Sequence, residues 1–233
     1  MSYALIITCE HGGCEVPEPY APLFAGHAAL LQTHRGWDPG ALLLARELAA
    51  ACSAPLFYAT TTRLLIDLNR SKGHRQLHSD ITRGLSLAIR REISEHHYHP
   101  YRNTVESEVA RLIAAGHRVM HVASHSFTPK LNGVVRQADV AWLYDPRRDG
   151  ERDLACRWQA EMAHLRPDLK LRRNYPYQGK GDGLTATLRK RHSPERYVGV
   201  ELEVNQRFVA EDTGVWEQLR EAIIQTLPQA LAR

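Results

Sequence analysis

A chain of 233 residues with 43% hydrophobic content can bury a sizeable core, and its length suits one α/β domain, 1–233, better than two full ones. The net charge of +4 is mild, the 25 Arg and 5 Lys are scattered, and only 7% of residues are aromatic, which argues against a nucleic-acid partner, since that would want cations and aromatics gathered in one patch. Near the N-terminus there is no basic leader region and only a short apolar run, and Cys9, Cys14, Cys52 and Cys156 form no C-x-x-C pair, so the expectation is a cytoplasmic chain with reduced thiols, no membrane association and no zinc knuckle.

In chain order, the first apolar run predicts a strand over Ala4–Thr8. A helix is expected over Pro39–Ala51, with Asp38 as N-cap and Pro39 at the first helical position. Leu64–Leu68 reads as a second buried strand. Tyr101–Ala115 follows as a helix carrying Val105, Val109, Leu112 and Ile113 on one face, with His96, His97 and His99 mostly on the surface just before it. Strands are expected at Val119–Ser124, Val140–Tyr144 and Tyr197–Val204, and helices at Glu151–Leu165 and Trp216–Leu227. Strands alternating with helices imply a mostly parallel or mixed sheet covered on both faces. In such sheets the site lies beyond the carboxyl ends of the strands.

Polar clusters do follow the apolar runs. Glu10-His11-Gly12-Gly13 comes after the first, and its glycines let backbone pass close to a ligand or metal. Asp38 in HRGWDPGA (34–41) is a metal-ligand candidate or simply a helix cap. Asp67 can hold Arg70 or a backbone amide, and Arg70 can face a substrate carboxylate. His125 directly follows VMHVAS, placed either for a metal or catalysis or as a satisfied core histidine. The glycines of NYPYQGKGDG (174–183) suggest a loop folded over a ligand, without the order of a nucleotide-binding P-loop. Period-two alternation puts Glu201 and Glu203 on one side of a strand, as an exposed polar edge or an acid/base pair. The 13 histidines raise the expectation of a metalloenzyme.

Taken together, EHGGCEVP (10–17), HRGWDPGA (34–41), TTRLLIDLNRS (61–71), HYHPYR (97–102), ASHSFTP (123–129), NYPYQGKGDGLTATLR (174–189) and GVELEVNQ (199–206) resemble the N-formylglutamate amidohydrolase family. The resemblance implies a three-layer α/β/α sandwich with a mixed, mostly parallel sheet, similar to the zinc carboxypeptidase-like fold. It implies His11 and His125 as metal ligands with Asp38 as the carboxylate ligand, Glu15 and Glu10 being its rivals. Zinc is the implied cofactor, another divalent metal the alternative, because two histidines and a carboxylate with an open position form a recognised catalytic zinc site. Glu203 is implied as general base with Glu201 sharing the assignment, and Asn69, Arg70 and Arg189 as substrate-holding groups. The implied partner is a small acidic substrate, N-formyl-L-glutamate first and another N-acyl amino acid second. A non-catalytic relative that only binds a metal or ligand is the competing expectation. Cys14 and Glu201 depart from the family's usual pattern.

Overall fold

The computed structural model describes residues 3–210 and 214–232. In chain order its elements are β1 (Tyr3–Cys9), a 3-10 segment (Glu18–Phe24), α1 (Ala28–Leu31), α2 (Ala41–Ala51), β2 (Leu56–Tyr58) and α3 (Leu87–Ile93). A π-turn (Ser94–Tyr98) leads into α4 (His99–Ala114), then β3 (Arg118–Phe127), β4 (Lys130–Leu131), β5 (Val134–Val135), β6 (Val140–Leu143) and α5 (Asp149–Leu165). The chain closes with β7 (Leu171–Arg173), α6 (Leu184–Arg191), β8 (Tyr197–Asn205), α7 (Arg207–Ala210) and α8 (Val215–Leu231).

Six strands form one sheet in the order β2-β1-β3-β8-β6-β7. The first four run parallel, β6 is antiparallel to β8, and β7 is parallel to β6, so the sheet is mixed and mostly parallel. Alternate residues of a strand face opposite sides. Ile7, Met120, Val122, Val200 and Leu202 therefore pack against α2, α5 and α8 on one side. Ile6, Val119 and Tyr197 meet Val105 and Val109 of α4 and Leu184 and Leu188 of α6 on the other. The result is the three-layer sandwich expected. Among the described residues no helix is long and apolar enough to cross a membrane.

Leu64–Leu68 is not a strand. Its apolar residues are buried, but against Tyr20, Phe24, Ile93 and Tyr98 in a separate cluster beside the sheet. Its backbone is satisfied locally: Leu65 N–H donates to Thr62 O at 3.0 Å, Asp67 N–H to Leu77 O at 2.8 Å, and the Thr82 hydroxyl to Leu65 O at 3.0 Å. A buried run needs partners for its peptide groups, and a folded-back loop supplies them as well as a ladder does. Asp38 does not cap α2 with its side chain either. That helix starts at Ala41 behind Gly40, whose φ of 81° carries the turn, and the Asp38 carboxylate is directed elsewhere. The close approach of Gly12 and Gly13 is to the chain after β2, where an added Cβ would sit 2.9 Å from Ala59 O and 2.7 Å from Thr60 O.

A buried ionic knot ties α5, α6 and β8 together. Arg189 Nε donates to both carboxylate oxygens of Glu151 at 2.9 and 3.0 Å, and its other nitrogens donate to the carbonyls of Gly179 and Gly199. Arg148 Nε adds a second cation 3.2 Å from the same, fully buried carboxylate. Removing one partner of such a group leaves buried charge uncompensated. Arg189→Met is expected to cost about 3 kcal/mol, a fall of roughly 6–12 °C in thermal midpoint for a chain of this size. An unchanged midpoint in calorimetry would contradict this structural role.

Candidate metal centre and active site

β1 and β3 are parallel neighbours, with Thr8 beside Ala123, so residues at their carboxyl ends emerge together. His11 lies two residues beyond β1 and His125 near the end of β3. Asp38 enters from the turn before α2, fixed by its own N–H donating to His11 O at 2.9 Å. Its Oδ2 is 3.4 Å from His11 Nδ1 and 3.0 Å from His125 Nδ1, and the two rings stand 5.2 Å apart. All three residues are buried, and one ligand atom from each lies within 4.8 Å of the others.

The remaining ring nitrogens are also held by carboxylates. His11 Nε2 is 2.7 Å from Asp67 Oδ1, and His125 Nε2 is 3.0 Å from Glu10 Oε2. Asp67 in turn accepts from Arg63 at 2.7 Å and from the Asn69 N–H at 2.9 Å, while Glu10 Oε1 accepts from the Tyr101 hydroxyl at 2.9 Å. A carboxylate behind Nε2 favours a proton there and leaves the Nδ1 lone pair facing inward. Two such lone pairs and the Asp38 carboxylate then converge on one point, an arrangement that repels itself unless a cation stands between. The donor set therefore fits a divalent metal, zinc included.

The acid–base chemistry of these residues agrees. Burial works against the charge of Asp38, yet the nearby His11 and His125 hold its carboxyl far below the usual range. Burial is likewise outweighed at Asp67, chiefly by Arg63, and at Glu10, where His125 keeps the value down to about 2. Burial also disfavours charge on His125, but hydrogen bonds with Asp38 and Glu10 push its pKa well above that of free histidine. A proton thus partly supplies the positive charge that the centre calls for.

Glu203 lies beside His125 in the β3–β8 register. The residue is 5% exposed, and its Oε2 has no hydrogen-bond partner among the described residues. Burial raises its pKa to about 8, with Asp38 and Glu201 adding to the rise and His125 opposing it. Glu201 points the same way but is engaged, its Oε1 accepting from the Thr185 hydroxyl at 2.5 Å.

These groups line one cavity of about 650 Å³. Asn69 and Arg70 line it too, each partly committed: Asn69 Oδ1 accepts from the Leu184 N–H at 2.7 Å, and Arg70 donates to Asp182 O at 3.0 Å. Of the rival carboxylates, Glu10 stands behind His125 rather than beside Asp38, and Glu15 is exposed, accepting from the Thr60 hydroxyl at 2.6 Å. Arg189 is not brought to the cavity, because its donors are consumed by Glu151 and two carbonyls. The sequence reading missed Arg63, which lines the cavity and bridges Asp67 and, at 3.4 Å, Asp38. Its signal was an Arg four residues before Asp67 across an apolar run. His121, by contrast, is a satisfied core histidine between the Thr8 hydroxyl at 2.8 Å and the Tyr197 hydroxyl at 2.7 Å, with burial lowering its pKa to about 4.

Fold and site together define the class: a three-layer α/β chain whose His11, Asp38 and His125 could hold a metal ion beside a buried carboxylate, Glu203, at the carboxyl edge of its sheet. The family model for N-formylglutamate amidohydrolase matches residues 3–210, and the chain belongs to that family of amide-hydrolysing enzymes. The solved structure of the gene product Atu2144 from Agrobacterium tumefaciens is similar to it at 30% identity and a TM-score of 0.84, covering 99% of this chain and 91% of that one. An N-formylglutamate amidohydrolase from Ralstonia eutropha JMP134 shares the fold at 19% identity and a TM-score of 0.71, over 99% and 94% of the two chains. A search of curated proteins gave no match.

Two predictions come from this geometry. Asp67→Asn removes the carboxylate that orients His11, and zinc affinity measured by chelator competition should fall about 10- to 100-fold; unchanged affinity would mean that Asp67 does not orient the ligand. The second concerns Glu203 in metal-free protein. Its folded pKa, about 8, lies above that of an unfolded glutamate, so its contribution to stability is present at low pH and is lost as pH rises from about 4 towards 8. Wild type should therefore lose more thermal stability than Glu203→Gln between pH 5 and pH 9 (both roughly chosen to span that window). Parallel curves would show that the carboxyl is not held neutral.

Proposed function

We propose that this chain is a zinc-dependent amidohydrolase that removes the acyl group from an N-acyl amino acid, with N-formyl-L-glutamate as the leading substrate. The observation that carries this reading is the pairing of a converging donor set (His11 Nδ1, Asp38, His125 Nδ1) with a buried Glu203 carboxyl whose Oε2 has no hydrogen-bond partner among the described residues, on the same cavity. Zinc held by those three residues would supply Lewis acidity towards the amide carbonyl and make a water easier to deprotonate.

The chain's own groups supply the rest. Glu203, with its affinity for a proton tuned towards neutrality, takes a proton from water and hands it to the departing nitrogen. Arg63 is anchored by Asp67 at the cavity wall and can steady negative charge building on the carbonyl oxygen. Arg70, next to Asp67, and Asn69 hold the amino acid's α-carboxylate, for which a guanidinium is suited. A cytoplasmic small molecule with acidic groups is the substrate class this reading requires. A relative that merely binds a ligand would gain nothing from a buried carboxyl without a partner, and that observation favours turnover.

Glu203→Gln keeps size and removes the proton acceptor. Formate release from N-formylglutamate should drop by roughly 100-fold or more, with zinc content unchanged by metal analysis, and Glu201→Gln should do less. Near-normal turnover of Glu203→Gln alongside an inactive Glu201→Gln would reverse the two roles. Stripping the metal with a chelator should abolish activity, and added zinc should restore it; full activity of the stripped protein would remove zinc from the reading.

A further inference from the structure

Arg136 is a largely buried arginine that, among the described residues, has no carboxylate paired with it. The buried Arg102 is matched by Glu106, and the Arg189 side chain, 6% exposed, by Glu151. Arg136 is 9% exposed and stands 4.9 Å from the centre of the Tyr177 ring and 5.8 Å from that of Phe127. Its hydrogen bonds go to neutral oxygens, the Tyr177 hydroxyl at 3.0 Å and Thr128 O at 3.4 Å, and among the described residues no Asp or Glu pairs with it. Burying an unpaired cation is unfavourable. An arrangement of this kind is completed when an anion arrives.

Tyr177 is the group through which an anion would meet it. The residue is 45% exposed and lines the cavity together with Arg63. Its oxygen already accepts from Arg136, so its own O–H remains to be donated into the cavity. A hydroxyl that accepts from a cation is a stronger donor than a free one. Its loop is tightly built as well. The Tyr175 hydroxyl accepts from the Gln137 N–H at 3.0 Å, and Asn174 Oδ1 accepts from the N–H groups of Tyr144 and Gly179 at 3.0 and 3.1 Å. Gly179 packs so closely that a Cβ would fall 2.0 Å from Tyr144 N. Tyr177 is thus presented on a fixed wall.

We infer that Tyr177, positioned by Arg136, donates a hydrogen bond to the side-chain carboxylate of an acidic N-acyl amino acid and so sets the preference for acidic over neutral side chains. This rests on the deacylase reading above. Arg70 sits beside Asp67, the partner of His11, where the α-carboxylate next to the scissile nitrogen would lie. Tyr177, 45% exposed, lines the same cavity as Arg70, and a longer side chain would extend from the α-carboxylate towards it. Tyr177 contacts the substrate, and Arg136 is a positioning residue that also supplies the charge behind it.

The test is steady-state kinetics of the zinc-loaded full chain on N-formylglutamate and N-formylleucine. Tyr177→Phe should raise KM for N-formylglutamate about tenfold, the loss expected for a hydrogen bond to a charged group. Its kcat on both substrates, and its KM for N-formylleucine, should stay within about twofold, as expected for uniform binding lost at one group only. Arg136→Met should show the same substrate-selective rise and Arg136→Lys a smaller one, which a merely structural role would not produce. If Arg136→Met fails to fold, Tyr177→Phe decides alone. A KM for N-formylglutamate unchanged in Tyr177→Phe, or raised equally for both substrates, overturns the inference while the deacylase reading stands. Wild-type protein that binds zinc yet hydrolyses neither substrate overturns both.

Discussion

Everything at the carboxyl edge of this sheet is arranged around one electrostatic constraint. Asp38, Asp67, Glu10 and Glu203 are withdrawn from water within a few residues of one another in space, with two imidazoles and one arginine among them. Buried carboxylates of that number do not stay close without positive charge. The structure supplies part of it through Arg63 and through the hydrogen bonds that raise the proton affinity of His125, and it gathers ligand atoms of His11, Asp38 and His125 within 4.8 Å of one another, where a cation could sit. The same constraint explains why Glu203, without a hydrogen-bond donor of its own, is the one carboxyl that gives up its charge near neutral pH. One cluster holds Asp38, Asp67 and Glu10 below the usual carboxylate range and raises Glu203 above it.

The fold serves that constraint by convergence. Parallel β1, β3 and β8 bring His11, His125 and Glu203 out at the same edge, and the turn before α2 adds Asp38 from the side. Behind them, α4 contributes Tyr101 to Glu10, and the folded-back loop 61–70 contributes Asp67, Arg63, Asn69 and Arg70. The glycine-rich loop is strapped across by Asp182, whose carboxylate accepts from the Ser71 N–H at 2.9 Å and whose carbonyl accepts from Arg70. Asn69 and Arg70, proposed above to hold substrate, therefore also hold the cavity's walls, so the cavity is shaped by the chain's own hydrogen bonds.

Much of this was legible in the sequence because strand ends announce themselves. An apolar run passing abruptly into His or Glu marks the edge of a buried strand, and that pattern located His11, His125 and Glu203. Asp38 was visible as a carboxylate at a helix start, which alone leaves cap and ligand open; the family resemblance favoured the ligand, and the structure sets Asp38 against histidines 27 and 87 residues away in sequence. Leu64–Leu68 was misread because burial alone does not distinguish a strand from a loop packed on Tyr20 and Ile93. Arg189 was misplaced for a related reason. Its partner Glu151 lies 38 residues earlier on another helix, and nothing local reveals that its charge is already balanced. Tyr177 was visible only as part of the glycine-rich loop 174–183, and its contact with Arg136, 41 residues earlier, is one that nothing local in the sequence announces.

The central claim is that the Nδ1 atoms of His11 and His125 and the carboxylate of Asp38 hold zinc. X-ray absorption at the zinc edge of the purified, zinc-loaded protein tests it directly. The account predicts scattering from two imidazoles with the remaining ligands oxygen, at Zn–N and Zn–O distances of about 2.0–2.2 Å, and loss of the imidazole pattern in His125→Ala. A sulfur shell near 2.3 Å, or a zinc environment without imidazole, would place the metal elsewhere and contradict the account.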